Sequence, residues 1–482
     1  MKSINADVVI LGGGTAGMSA FRAARKSTDS VYLVEDHKFG TTCARVGCMP
    51  SKLLIAAAEA AHHVRHADQF GVHPDGALRI DGREVMERVR SERDRFVGFV
   101  LEDVDGFPAE NRILGRARFK DEHTILVDED TEITAKRVVI ATGSRPFIIP
   151  AWLSLGNRLI VNDDVFDWET LPASVAVFGA GVIGLEIGQA LHRLGVEVHV
   201  FGKDNALGGI TDPVVQQKAL EIFDAEMNLY LDADTKVSLL ESGKGVKVDY
   251  SENGQSGSVT VDYLLAATGR KPNVENLGLD NLKIDLDDRG VPKADRYTMQ
   301  TSVPHIFIAG DASNQLPLLH EAADQGFIAG TNAGTFPKVT EGLRRSQIGV
   351  IFSDPQIASI GMRFREVTGK YDNCGCYAVG EVSFNNQGRS RVMGVNRGHL
   401  RIYAEHGSGR LLGAEMVGPA AEHLAHLLAW AHQQKMTIAQ MLDMPFYHPV
   451  IEEGVRTALR DLSSQLRLSP DLAGECSECP GQ

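Results

Sequence analysis

The strongest constraint on the fold is a pattern that occurs twice. Asp7-Val8-Val9-Ile10-Leu11 is a short apolar run of the kind that forms a buried parallel strand. Gly12-Gly13-Gly14-Thr15-Ala16-Gly17 follows, then a helical pattern from Met18 to Lys26 and a second strand, Val31-Tyr32-Leu33-Val34, ending at Glu35. The layout returns as Val175-Ala176-Val177-Phe178, then Gly179-Ala180-Gly181-Val182-Ile183-Gly184, a helix to Leu194 and a strand from Val196 to Phe201. In each copy the first glycine allows a tight turn and the second lets backbone approach a pyrophosphate. The third packs helix on strand, with the helix N-terminus facing the anion. Matching later segments complete the copies: Val138-Val139-Ile140-Ala141-Thr142-Gly143 and Leu264-Leu265-Ala266-Ala267-Thr268-Gly269. One fingerprint is weak evidence, but two in complete strand–helix–strand frames predict two dinucleotide sites. Gly12, Gly14, Gly17, Thr142 and Gly143 belong to the first, and Gly179, Gly181, Gly184 and Gly269 to the second.

The copies differ at one informative place. Glu35, 23 residues after Gly12, can accept hydrogen bonds from an adenosine ribose; the same count from Gly179 lands on Gly202, followed by Lys203 and Asp204. A missing carboxylate removes the repulsion that excludes a 2′-phosphate, and Lys203 can pair with one. Asp204 beside it and the intact third glycine argue the other way, so NAD(H) is expected and NADP(H) is the alternative.

Just after the first copy stands Gly40-Thr41-Thr42-Cys43-Ala44-Arg45-Val46-Gly47-Cys48-Met49-Pro50-Ser51-Lys52. A regular helix would separate the two cysteine Cα atoms by about 7.5 Å along its axis, beyond the roughly 7 Å ceiling for a disulfide. If they bond, the chain between them must leave regular helix, which Gly47 and Pro50 permit. Cys43 and Cys48 form a candidate redox switch. The six cysteines fall in three close pairs, the others being Cys374/Cys376 and Cys476/Cys479. In a reducing compartment such pairs more often mean catalysis, metal or coincidence than structural stapling. Cys476-x2-Cys479 is half a zinc site at most, and Cys374-Gly375-Cys376 has the wrong spacing to complete it, so no metal is expected.

At 482 residues the chain needs about three domains. Residues 53–120 read as mostly helical, with Ile55–Val64 and Glu84–Val104 the long candidates. Val303 to Ala312 reads as another buried strand ending in Gly310-Asp311, where Asp311 fits either a carboxylate reaching a cofactor hydroxyl or a turn cap. From Arg344 short alternating strands accompany helices at 421–434 and 453–462, an α+β pattern. The expected divisions are 1–150, 151–270, 271–343, 344–466 and a tail, 467–482. A net charge of −14 without a long basic run argues against a nucleic-acid surface. No uninterrupted apolar run of about 18 residues exists, so no membrane span is expected. The N-terminus lacks a signal layout, giving a cytoplasmic expectation.

These features together — Cys-x4-Cys after one dinucleotide fold, a second such fold, Ala309-Gly310-Asp311 and a late His448-Pro449 — resemble the pyridine nucleotide-disulfide oxidoreductases from about residue 5 to 465. The resemblance implies an α/β fold of two Rossmann-like domains, with FAD in the first and nicotinamide in the second, and a C-terminal α+β dimerisation domain that makes a homodimer. Cys48 matches the cysteine nearest the flavin and Cys43 the one that exchanges with substrate. His448 matches the base and Glu453 its orienting partner, both reaching the site from the other subunit. Alone, His448 reads as one surface histidine among 16, and Glu453 as a helix-start acid. Lys52 and Glu186 match a pair beside the flavin, where their bland reading is a solvent-exposed ion pair. Thr42, Asp311, His320 and Ala322 match flavin-lining positions.

Within the family, Pro50-Ser51-Lys52 and His448 most resemble the dihydrolipoamide dehydrogenases. Ala44-Arg45, where Leu-Asn is common, and Thr41, where Gly is usual, depart from them. The implied reaction oxidises a dihydrolipoyl dithiol, free or on a 2-oxoacid dehydrogenase complex, and reduces NAD⁺. The alternatives are an NADPH-dependent disulfide reductase and, in another class, a non-catalytic flavin-binding redox sensor.

Overall fold

The structure, a computed structural model, describes residues 2–468; Cys476 and Cys479 lie outside the described residues. The first fingerprint is built as its spacing predicts. Lys2–Leu11 lies between Val31–Glu35 and Thr131–Ile140, parallel to both, with Val8 opposite Val31 and Ile10 opposite Val139. Ile306–Ile308 adds to Thr131–Ile140, also in parallel, completing a sheet of seven strands. In the second copy Ser174–Phe178 lies between Glu197–Phe201 and Tyr263–Ala266 in a five-stranded sheet. All five residues of Ser174–Phe178 are buried, as a strand covered on both faces requires.

The two copies agree at the level of single bonds. The Gly12 N–H donates to Val34 O at 2.7 Å, and the Gly179 N–H donates to Phe201 O at 2.8 Å. The helices that follow, Thr15–Ala24 and Val182–Arg193, are entered through Gly14 (φ −83°, ψ −164°) and Gly181 (φ −85°, ψ −164°).

Elsewhere the structure corrects the reading. Residues 53–120 contain the long helices Cys48–Arg65 and Gly82–Asp105, but also the strands Arg112–Leu114 and Ala117–Phe119. Three-residue strands are too short to show a period, so the helical pattern around them dominated. Of the strand read across Val303 to Ala312, only Ile306–Ile308 is paired as a strand. Gly310, at φ +72°, then turns the chain into a short helical turn, Gly310–Ser313. The C-terminal part is an antiparallel five-stranded sheet that includes Gln356–Gly361, a strand absent from the sequence reading. Ala421–Gln433 and Glu453–Gln465 pack on it around Leu424, Leu428, Leu459 and Leu462.

The first nucleotide helix is fixed by backbone contact with Leu319–Thr335. A Cβ at Gly326 would stand 2.2 Å from Ala16 O, and one at Gly330 would stand 2.2 Å from Ala20 O. The helices cross too closely for any side chain there. Gly330→Val should therefore lower the midpoint of thermal unfolding by about 5 °C or more, as overpacking typically costs about 1–3 kcal/mol. An unchanged midpoint by circular dichroism would show that the crossing is not as tight as described.

Candidate active site

The redox loop is two helices with a break between them. Thr42–Val46 begins at Thr41, whose hydroxyl accepts the Ala44 N–H at 3.1 Å, an ordinary threonine N-cap. Gly47 (φ −126°, ψ −118°) leaves helical geometry, and Cys48–Arg65 starts immediately after it. A Cβ at residue 47 would press on Cys43 Cα at 3.2 Å and Thr42 O at 3.1 Å, so glycine lets the two cysteines close up. Asn162 Nδ2 donates to Val46 O at 2.8 Å, holding the end of the first helix. Pro50 sits in the first turn of the second helix, as its missing N–H allows. Arg45 donates to Phe39 O at 2.6 Å, and its buried Nε has no hydrogen-bond partner. The unusual arginine therefore ties the loop back to the segment beneath it.

Cys43 and Cys48 are free thiols in contact, with unequal hold on their protons. The Cys43 thiol, hydrogen-bonded to Cys48, favours the Cys48 thiolate; burial opposes this and the Lys52 charge assists it, and Cys48 is lowered to about 7. Cys43 is pushed up by the same hydrogen bond and then by burial. Cys48 is thus the natural thiolate and Cys43 the thiol that needs a base.

Lys52 lies one helical turn beyond Cys48, and its ammonium contacts both carboxylate oxygens of Glu186, at 2.8 and 2.9 Å. This is not the exposed pair of the bland reading. Glu186 is 4% exposed, on the helix of the second nucleotide fold, and also accepts from Ser51 Oγ at 3.3 Å and from the Phe352 N–H at 3.0 Å. The Phe352 ring stands 4.5 Å from the Lys52 nitrogen. Nothing local in the sequence marks the Phe352 N–H, 166 residues away, as a partner of Glu186.

At the carboxyl end of the first sheet is a cavity of about 500 Å³, lined by Gly12, Glu35, Thr142, Asn273 and their neighbours. The Gly13 N–H donates to Glu35 Oε2 at 2.6 Å and fixes that carboxylate at the rim. Thr142 Oγ1 is buried without a partner, an acceptor or donor left for a ligand. A Cβ at Gly14 would meet open space, whereas one at Gly17 would stand 1.8 Å from Gly12 O. These are the requirements of a pyrophosphate cradle, and the residues fit FAD. Asp311 accepts from Ser144 Oγ at 2.7 Å, and Ser144 in turn accepts from Arg270 at 2.8 Å; Asp311 does not cap its turn. Ala322 is buried against Gly310, while His320 and Thr42 are exposed and Gly143 takes φ +68°.

The second cradle repeats the first: a Cβ at Gly184 would stand 1.8 Å from Gly179 O, and Gly181 faces open space. The matching Gly12–Val34 and Gly179–Phe201 bonds put Gly202 where Glu35 stands. A Cβ at 202 would meet Leu231 Cδ2 at 2.9 Å and Leu231 Cα at 3.3 Å, so the site leaves little room for a side chain. Lys203 is exposed and makes no ion pair among the described residues, and Gly269 adopts φ +106°.

His448 Nδ1 lies 3.0 Å from Glu453 Oε1, leaving Nε2 outward. The histidine hydrogen bond, followed by the Val450 N–H, holds Glu453 below the usual carboxylate range. The His448 side chain is 81% exposed, and no bond joins it to either cysteine within the described residues of one chain.

The profile of the pyridine nucleotide-disulphide oxidoreductase family matches residues 6–326, and that of its dimerisation domain matches 348–459. The chain belongs to this family. A dihydrolipoyl dehydrogenase of Chlamydia pneumoniae is 30% identical over 453 residues, covering 93% of this chain and 95% of the relative. One of Bacillus subtilis is 29% identical, covering 94% and 97%. The crystal structure of LpdA from Mycobacterium tuberculosis aligns with a TM-score of 0.80 at 25% identity, covering 95% of this chain and 99% of that one. The flavoprotein disulfide reductase RclA from Escherichia coli, at 22% identity and a TM-score of 0.79, shares the fold. Members of the family are enzymes that use FAD and a nicotinamide nucleotide, and this chain is an FAD-dependent disulfide oxidoreductase. No described helix is long and apolar enough to cross a membrane.

The unequal thiols make a direct prediction. After reduction, the iodoacetamide rate at Cys48 should rise about tenfold per pH unit below about pH 7 and level off above it, because only the thiolate reacts. Cys43→Ala or Lys52→Met should move that inflection upward; an inflection still at the same pH in both variants would remove the stated causes.

Proposed function

We propose that the enzyme is a dihydrolipoyl dehydrogenase, oxidising dihydrolipoyl groups to lipoyl disulfides and reducing NAD⁺ to NADH and a proton. The observation that carries this reading is the Cys43–Cys48 pair, broken out of one helix at Gly47 and set beside the ion pair of Lys52 with the buried Glu186. Full-length likeness to enzymes named for this activity supports it.

In this reading Cys43 and Cys48 begin as a disulfide. A substrate thiolate attacks Cys43 Sγ, and Cys48 leaves as the thiolate that Lys52 favours. The second substrate thiol then closes on the first sulfur and releases Cys43. His448 of the partner subunit accepts the first thiol's proton through Nε2, with Glu453 fixing the ring through Nδ1, and Cys43 takes up the second thiol's proton as it departs. Gly12, Gly14, Gly17, Glu35, Thr142 and Asp311 hold FAD, which when bound carries the electron pair between the dithiol and the nicotinamide. Gly179, Gly181 and Gly184 seat the nucleotide's pyrophosphate. The homodimer forms through the 348–459 domain, and the lipoyl group of a 2-oxoacid dehydrogenase complex is the natural protein-borne substrate.

A second reading, an NADPH-dependent disulfide reductase, is favoured by Gly202 and Lys203. Steady-state assays with dihydrolipoamide and with NAD⁺ or NADP⁺ separate the two. The main reading expects turnover with NAD⁺, lowered more than about 1000-fold in Cys43→Ser and about 100- to 10,000-fold in His448→Gln. Turnover with NADP⁺ alone would favour the second reading. Bound FAD without dihydrolipoamide turnover on either nucleotide would sink the main reading.

A further inference from the structure

Cys374 and Cys376 take no part in the chemistry above. They close the turn between the Phe364–Tyr371 helix and the Tyr377–Ser383 strand. Their Cα atoms are 5.2 Å apart, inside the usual disulfide range, and the sulfurs are joined. Gly375 between them takes φ +60°, a conformation that side-chain-bearing residues rarely adopt. The turn is also held by backbone bonds. Tyr371 O accepts the N–H groups of Cys374 and Cys376 at 3.3 and 3.4 Å, and the His406 N–H donates to Cys376 O at 2.8 Å. Opening the disulfide would therefore leave the loop in place, with both sulfurs poised to close again.

The two sulfurs differ in access. Cys376 is 4% exposed and packs among Val367, Tyr371, Tyr403 and Leu412, whereas Cys374 is half-buried at the edge of that cluster. An attacking thiolate must reach a sulfur from outside, and Cys374 is the one within reach. Cys376, leaving into an apolar cluster, would be protonated rather than charged.

We propose that Cys374–Cys376 is a second exchangeable disulfide of this enzyme, entered at Cys374 and reduced by a dithiol. One thiolate of the dithiol attacks Cys374 Sγ; the S–S bond breaks, and its electron pair leaves on Cys376, which takes up a proton. The second thiol then attacks the mixed disulfide, and its proton goes to Cys374 as that sulfur departs. The dithiol loses two electrons and two protons, and the Cys374/Cys376 pair gains them. The dithiol has two sources on the page. One is a free dihydrolipoyl compound. The other is Cys476/Cys479 of the same chain, a Cys-x2-Cys pair that lies outside the described residues.

Differential alkylation read by mass spectrometry tests this on the full chain, without nicotinamide, so that turnover at Cys43 and Cys48 is not what is measured. As purified, Cys374 and Cys376 should resist iodoacetamide. After dihydrolipoamide both should become labelled, Cys374 at least about tenfold faster than Cys376. The same experiment on the double variant Cys476→Ser/Cys479→Ser assigns the source. An unchanged opening rate means that the free dithiol acts directly, and a rate at least tenfold lower means that the tail pair passes the electrons. Labelling without any reductant, or continued resistance after dihydrolipoamide, would overturn the proposal, as would Cys376 reacting first.

Discussion

The Lys52–Glu186 ion pair is the contact on which the rest of the site depends. A carboxylate that is 4% exposed is stable only when paired and fully hydrogen-bonded, and the bonds of Glu186 join three distant parts of the chain. Lys52 and Ser51 come from the helix that starts at Cys48, Glu186 itself from the second nucleotide fold, and the Phe352 N–H from the edge of the C-terminal sheet. The charge is satisfied only when all three have closed on one another. The same closure places an ammonium next to Cys48 and so favours its thiolate. Structural and chemical demands thus meet in one pair of side chains. Neighbouring bonds reinforce it: Gln189 exchanges two hydrogen bonds with Asp354, and Arg193 pairs with both Asp354 and Glu226.

Around that junction the chain uses one supersecondary unit twice, for two ligands. The glycine turns, their bonds to the strand ends and the helix entries coincide almost bond for bond. The difference lies at the end of the second strand, where Glu35 accepts the Gly13 N–H in one copy and Gly202 abuts Leu231 in the other. Backbone geometry suits a pyrophosphate in both, and the copies differ in the one side-chain position that could meet a ribose.

Much of this was legible in the sequence. Both nucleotide folds follow from glycine spacing and apolar runs, and the break at Gly47 follows from the cysteine spacing set against helical rise. Glu453 as a partner of His448 follows only from the family resemblance, since by itself Glu453 reads as a helix-start acid. What could not be read is what the tertiary fold alone supplies. Phe352, Ser51 and Asn162 act through bonds to residues more than 100 positions away. The strands at 112–119 and the turn at Gly310–Ser313 are shorter than any period that pattern reasoning can detect. Thr41 is a different case: a threonine directly before a short helix is a recognisable cap.

The exposed His448, oriented by Glu453 yet bonded to neither cysteine of its own chain, gives the account its central claim. In the proposed mechanism each site would combine Cys43 and Cys48 of one subunit with the His448 and Glu453 pair of the other. The direct test is dihydrolipoamide turnover by heterodimers formed from two inactive variants, Cys48→Ser and His448→Gln. Each heterodimer then holds one intact site, and the mixture should recover about a quarter of the wild-type rate. Activity no greater than that of the two variants measured separately would contradict the shared site.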